Sequence, residues 1–269
     1  ENCPYGGAVI ALGILFYCIQ LYCDFSGGID ITRGVARMFG IDMAVNFRRP
    51  LFSTSLADYW RRWHITLGAW MRDYVFYPLA LWRPFRALGS FARRHFRGML
   101  SKIFATSMAT FVVYFIIGVW HGANFRYLAF GLYNGVLITA ALLLEPLFVR
   151  VREKLPIRWD GWLWHGVQML RTGVIVFIGR YITRAPRLTL ALSMLRRSVT
   201  NFSLSQLRGG TLFSLGMTRL DWLVVLAGLV VLLAVEVYQE RGGRARALLA
   251  RQKPAVQGLV TLIWLAALL

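Results

Sequence analysis

Four histidines draw first notice in this chain of 269 residues, because a neutral imidazole is the side chain best suited to take a proton from a hydroxyl near neutral pH. His121 closes the apolar run Phe111–Trp120, so it lies within or beside the apolar layer if that run crosses a bilayer. Ionisable groups there are costly and face a cavity or a partner, which points to function. A histidine at a helix end, bonded to a carbonyl near the interface, reads the same residues equally well. His64 falls on an apolar stripe with Tyr59, Trp60, Trp63, Leu67 and Trp70, and its position alone reads as a satisfied interfacial histidine. His95, in the basic stretch Arg93–Arg97, and His165, after a tryptophan pair, read as interface residues.

The other polar candidates have structural readings of their own. Asp24 follows the run Ala8–Cys23 and precedes Phe25-Ser26-Gly27-Gly28, the pattern of a helix end and a glycine turn. Asn46, before Phe47, and Asn134, before Gly135, read as turn or helix-contact residues. Two histidines without a third Cys, His or carboxylate at ligand spacing make a poor zinc site. The sequence holds no Gly-x-Ser-x-Gly elbow, phosphate-binding glycine loop or dinucleotide fingerprint. No serine or cysteine with a paired base speaks for a covalent acyl intermediate. Cys3, Cys18 and Cys23 form no readable disulfide framework and are expected to pack as small apolar residues.

The elements that must position these groups are membrane helices. Of the chain, 57% is hydrophobic and 16% charged, against roughly 45–50% and about 25% in a soluble domain. Apolar residues gather in runs that place spans near 6–23, 104–121, 127–149, 164–183, 220–238 and 255–269. The fold class is therefore all-α: a polytopic transmembrane bundle with interfacial or re-entrant amphipathic helices, here one membrane-embedded domain over residues 1–269. Because the chain starts at Glu1 and stops inside an apolar run, it is expected to be a fragment of a larger protein.

The formal charge of +19 would suggest nucleic acid in a soluble protein. Here the basic residues concentrate in Arg33–Lys102, Arg150–Arg158 and Arg241–Lys253, between apolar runs, as cytoplasmic loops over anionic lipid require. Nucleic acid is excluded as a partner on that ground, and residues 184–219, basic but external by the same count, are expected to dip back as an amphipathic piece. Ser55–Pro78 reads as one amphipathic helix with an aromatic stripe, opened by an S-x-x-D cap at Ser55 and Asp58. No internal repeat supports a transporter built from repeats.

Two blocks in the first half of the chain carry a resemblance. The segment Tyr22–Pro78 contains DFSG at 24–27, NF at 46–47, WRRWH at 60–64 and RDY at 72–74; Gly118-Val119-Trp120-His121-Gly122-Ala123 then precedes Gly131-Leu132-Tyr133-Asn134-Gly135. In this order and spacing they resemble the membrane-bound O-acyltransferase family, and more closely its bacterial branch of alginate O-acetyltransferases and teichoic acid D-alanyl transferases.

The resemblance implies a tunnel meeting near two histidines. His121 would be the general base. His64 would orient donor or acceptor, or stabilise the developing oxyanion. Asp24, Asn46, Trp60, Trp63, Trp120 and Asn134 would line the substrates. It further implies a bacterial cytoplasmic membrane and no permanently bound cofactor. The donor would be an acyl thioester or acyl-carrier protein and the acceptor a polysaccharide or teichoic-acid-like polymer, with accessory acetylation or export proteins as partners. A transporter or flippase for a lipid-linked glycan and a non-catalytic scaffold of an export complex are the rival classes.

Overall fold

The structure is a computed structural model and describes residues 5–156, 158–207, 213 and 216–266, with side chains described as far as Ile263; Cys3 and Arg208 lie outside the described residues. It falls into two compact units, residues 1–209 and 210–269.

The first helix, α1 (Gly7–Met38), overturns the expected stop at Asp24. Gly27 and Gly28 each cost the helix up to about 1 kcal/mol relative to alanine, but neither adopts a positive φ. The chain leaves the helix at Gly40 instead (φ +75°), where Gly40 N–H bonds to Arg37 C=O at 3.0 Å and Ile41 N–H to Ala36 C=O at 3.0 Å. That is the paired closure a left-handed glycine provides. At 1.5 Å per residue α1 is about 48 Å long, beyond the roughly 30 Å of a hydrocarbon core. Its apolar first part suits a span, and its last turns carry the Asp30–Arg33 pair outside it.

The stretch expected as one amphipathic helix is two helices joined at a break. α2 (Leu56–Arg62) begins as read: Ser55 Oγ accepts from Asp58 N–H at 3.0 Å. Asp58 takes Thr54 N–H rather than that of Ser55 and pairs with Arg62 at 3.1 Å. Trp63 then turns extended, and α3 (Ile65–Met71) starts afresh. It runs through a π-type turn, where Tyr77 N–H bonds to Arg72 C=O, into α4 (Tyr77–Leu81). Pro78 lacks an N–H, and its ring crowds the carbonyl four residues earlier; the widened turn relieves both.

After α5 (Arg83–His95), α6 (Gly98–Trp120) and α7 (Phe125–Leu143) form a tight hairpin. A Cβ on Gly131 would stand 2.6 Å from Tyr114 O and 2.8 Å from Gly118 Cα, so only glycine permits this crossing. Between membrane helices, where lipid is as apolar as the side chains, such close approach drives packing. Thr139 Oγ1 adds a bond across the hairpin to Ser107 O at 3.2 Å.

α8 (Glu145–Lys154) leads to α9 (Trp162–Arg184), which docks on α7 through Tyr133 Oη to Ile175 O at 2.8 Å. α10 (Leu188–Thr200) is the amphipathic piece expected within 184–219. Tyr181, Ile10 and Ile14 form a buried cluster joining α9 to α1, with Met194 and Leu195 of α10 packed against it. Cys18 packs on that cluster as read, whereas Cys23 is exposed.

The second unit holds α11 (Arg219–Glu240), opened by a reciprocal cap between Thr218 and Asp221, then α12 (Ala245–Ala250) and α13 (Pro254–Ala266). Among the described residues, four helices combine the length and apolar content to cross a membrane: α1, α6, α7 and α11. Of the other two expected spans, α9 is long enough but carries Arg171 and Arg180, and α13 has 13 residues.

Candidate functional site

His64 occupies the break between α2 and α3 in a left-handed conformation, φ 48° and ψ 54°. Such a conformation costs roughly 1–2 kcal/mol in a non-glycine residue and persists only where surroundings impose it. They do so here from eighteen residues upstream. Phe47 bridges Trp63 in an antiparallel sense, Arg48 N–H bonds to Arg62 C=O at 2.9 Å, and Ile65 N–H bonds to Asn46 C=O at 3.0 Å. The WRRWH segment is thus clamped on both sides of its histidine.

Asn46 fixes the ring as well. It is 7% exposed, and its Oδ1 accepts from Thr66 N–H at 3.2 Å, Thr66 Oγ1 at 2.7 Å and His64 Nδ1 at 3.0 Å. A backbone N–H only donates, so Asn46 presents its oxygen, and His64 Nδ1 must carry the proton. In the neutral ring the lone pair is then at Nε2. Burial holds the His64 imidazole below its ordinary pKa, so the neutral form prevails at neutral pH.

Aromatic rings wall this position. Phe25 meets the His64 ring edge-on at 4.8 Å, and Trp63 lies between Phe47 at 5.0 Å and Tyr59 at 5.6 Å. Trp63, Tyr59, Leu56 and Ile138 form a buried cluster against which side chains of α1, α6 and α9 pack.

The second histidine comes from the far block. His121 follows the last residue of α6 and is exposed, as a helix-end histidine would be, but its side chain has no carbonyl or other hydrogen-bond partner among the described residues. Trp120 stands edge-on to both imidazoles, 6.2 Å from His64 and 4.9 Å from His121. His121 also stacks on Tyr127 at 5.9 Å and lies within electrostatic reach of His64. Phe130, 6.1 Å from His121, links it to Trp60, itself 6.1 Å from Phe130. Trp60 Nε1–H donates to Asn134 Oδ1 at 3.1 Å, and Asn134, 3% exposed, donates to Phe130 O at 2.8 Å.

Of the candidate residues, His64, His121, Asn46, Trp60, Trp63, Trp120 and Asn134 therefore belong to one connected cluster. Asp24 does not: it is exposed on α1 and has no hydrogen bond or ion pair among the described residues. Its neighbour Phe25 faces His64 instead. His95 and His165 bond to carbonyls four residues back in their own helices, as interface residues would.

One residue of the cluster was not singled out from the sequence. Arg180 on α9 is 6% exposed; its Nη2 donates to Tyr59 Oη at 2.8 Å, and its guanidinium lies over Trp63 at 5.3 Å and Phe130 at 5.8 Å. The available signal was an arginine well inside an apolar run, where ionisable groups are rare. No group of three or more potential metal ligands exists among the described residues.

A probable alginate O-acetylase of Pseudomonas aeruginosa is 32% identical over 224 residues, covering 82% of this chain and 36% of its own. A teichoic acid D-alanyltransferase of Bacillus subtilis is 32% identical over 123 residues, 46% of this chain and 29% of its own. A peptidoglycan O-acetyltransferase of Helicobacter pylori is 32% identical over 125 residues, 46% of this chain and 20% of its own. The chain thus spans about a third of the length of the first of these relatives. The family model for the membrane-bound O-acyltransferases matches residues 5–179, which take in both histidine blocks and well over half the chain. On that extent of agreement, the protein belongs to the membrane-bound O-acyltransferase family.

Proposed function

We propose that this chain supplies the acyl-transfer site of a membrane-embedded O-acyltransferase, which moves an acetyl or D-alanyl group from an activated cytoplasmic donor to a hydroxyl of an exported or cell-surface polysaccharide. The observation that carries the proposal is the meeting of two imidazoles across Trp120, one with its tautomer fixed by Asn46. Relatives named for O-acetylation and D-alanylation support the same reaction class.

An alcohol is a weak nucleophile until a base takes its proton, and a well-placed imidazole contributes about 10²–10⁴-fold to that step. His121 is the proposed general base, because its ring nitrogens have no hydrogen-bond partner among the described residues. His64 is proposed to orient the acceptor: with Nδ1 donating to Asn46, Nε2 receives a hydrogen bond from the hydroxyl. That arrangement speaks against His64 as donor to an oxyanion. The donor is proposed to be an acyl thioester or an acyl-carrier protein that enters and leaves as cosubstrate, in a bacterial cytoplasmic membrane.

Mass analysis of cell-surface glycan from cells with and without the gene tests the proposal. Loss of one acyl substituent on deletion, restored by the wild-type gene, is expected; an unaltered acyl content would sink it.

A further inference from the structure

Acyl transfer from a thioester generates a negative charge that the two imidazoles do not meet. When the hydroxyl oxygen bonds to the acyl carbon, the carbonyl pair moves onto the carbonyl oxygen. In the arrangement above His121 takes the proton and His64 offers a lone pair, so neither donates to that oxygen.

Arg180 is a buried cation within electrostatic reach of His121 that this arrangement does not use. It is buried in the middle of a helical assembly, and no carboxylate lies within ion-pair distance among the described residues. A guanidinium has five N–H donors, of which one has a hydrogen-bond partner among the described residues, the Tyr59 hydroxyl. Cations at such positions are costly, and an ionisable residue inside a membrane assembly is by default a candidate functional group. Phe130 ties the guanidinium to the base: Arg180 sits 5.8 Å from its ring centre and His121 6.1 Å.

The space that Arg180 borders, with Tyr59, Trp60, Phe130 and Asn134, measures about 10 Å³. That is at the lower bound for a single water-sized atom, which suits one oxygen and not a phosphate or a sugar carboxylate. Of its other donors, Trp60 Nε1–H goes to Asn134, Asn134 Nδ2–H to Phe130 O and Tyr133 Oη–H to Ile175 O, while the Tyr59 hydroxyl accepts from Arg180.

We propose that Arg180 donates to the oxyanion formed at the acyl carbonyl, an assignment that rests on the reading of the protein as an O-acyltransferase. The acceptor hydroxyl gives its proton to His121 as its oxygen bonds to the acyl carbon, and the carbonyl pair moves to the oxygen facing Arg180. Return of that pair breaks the carbon–sulfur bond, and the thiolate leaves, taking the proton back from His121.

The test uses the full-length protein in lipid, with an acetyl thioester as donor and an alginate oligosaccharide as acceptor. Arg180→Ala is expected to lower kcat by about 10²–10³-fold, the usual loss of one oxyanion donor, while KM for both substrates stays within about threefold. Millimolar guanidinium ion should restore part of that kcat and none of the activity lost in His121→Ala. Arg180→Lys keeps the charge and guards against misfolding; at normal membrane level it should recover only part of the rate. A raised KM with kcat preserved would overturn the assignment in favour of ground-state binding. Full activity in Arg180→Lys combined with low protein level in Arg180→Ala would overturn it in favour of a structural cation. Wild-type protein without acyl transfer overturns both this assignment and the function beneath it, whereas an active wild type with unaffected variants overturns the assignment alone.

Discussion

Replacing Asn46 by alanine removes the oxygen that three donors share while leaving its backbone bond to Ile65 in place. A hydrogen bond contributes about 1 kcal/mol net. Because Thr66 is exposed, its two donors regain water, so the fold should lose only about 1–2 kcal/mol. The larger effect falls on His64, whose Nδ1 proton no longer has a fixed acceptor and whose left-handed backbone loses part of its restraint. Loss of that orientation, at about 1–3 kcal/mol, corresponds to roughly 5–150-fold in kcat.

Asn46→Asp separates geometry from charge, since it keeps the acceptor and sets a carboxylate against the ring. Burial lowers the His64 pKa in the wild type, so the neutral ring survives as pH falls below its ordinary value of about 6.5. A carboxylate favours the imidazolium and raises that pKa. The acid limb of the rate profile should therefore move to higher pH, with activity recovering as pH rises. Measured kcat over a pH series, beside thermal unfolding of each variant, decides the matter. An Asn46→Ala enzyme with wild-type kcat, together with an unmoved acid limb in Asn46→Asp, would refute the assignment of the His64 tautomer.

Three further outcomes are expected. His121→Ala in the complete protein should insert normally yet lose about 10²-fold or more of acyl transfer; His121→Gln should be equally impaired, and recovery by glutamine would make the residue an orienting group and move the base to His64. Gly131→Ala should force α6 and α7 apart, because its Cβ would meet Tyr114 O at 2.6 Å, lowering stability by about 1–3 kcal/mol; heating detergent-solubilised protein and following its monodispersity measures this, and an unchanged midpoint contradicts the packing. Cysteines introduced at Arg61, Arg93 and Arg152 should react only from the cytoplasmic side and one at Asn124 only from the opposite side; the reverse labelling would invert the membrane orientation.

What the sequence determined by itself were the properties that add up locally. Apolar runs identified a helical membrane protein because every backbone group in lipid must be satisfied within its own segment. The two histidine blocks were legible because their residues are neighbours in the chain. Ser55 was legible as a cap because its partner is three residues away. The break at Trp63–His64 was hidden because an unbroken three- and four-residue spacing favours one helix, and the force that opens it comes from the backbone of Asn46 and Arg48. Asp24 was misplaced as a helix end because a glycine pair looks like a stop, and only the closure at Gly40 shows where the helix ends. Arg180 shows the same limit most plainly. It was readable as a charge in an apolar segment, but its hydroxyl partner Tyr59 lies 121 residues away, and Trp63 and Phe130 come from two other elements. Tertiary packing alone decided that these groups, each bland in its own segment, stand around the same pair of imidazoles.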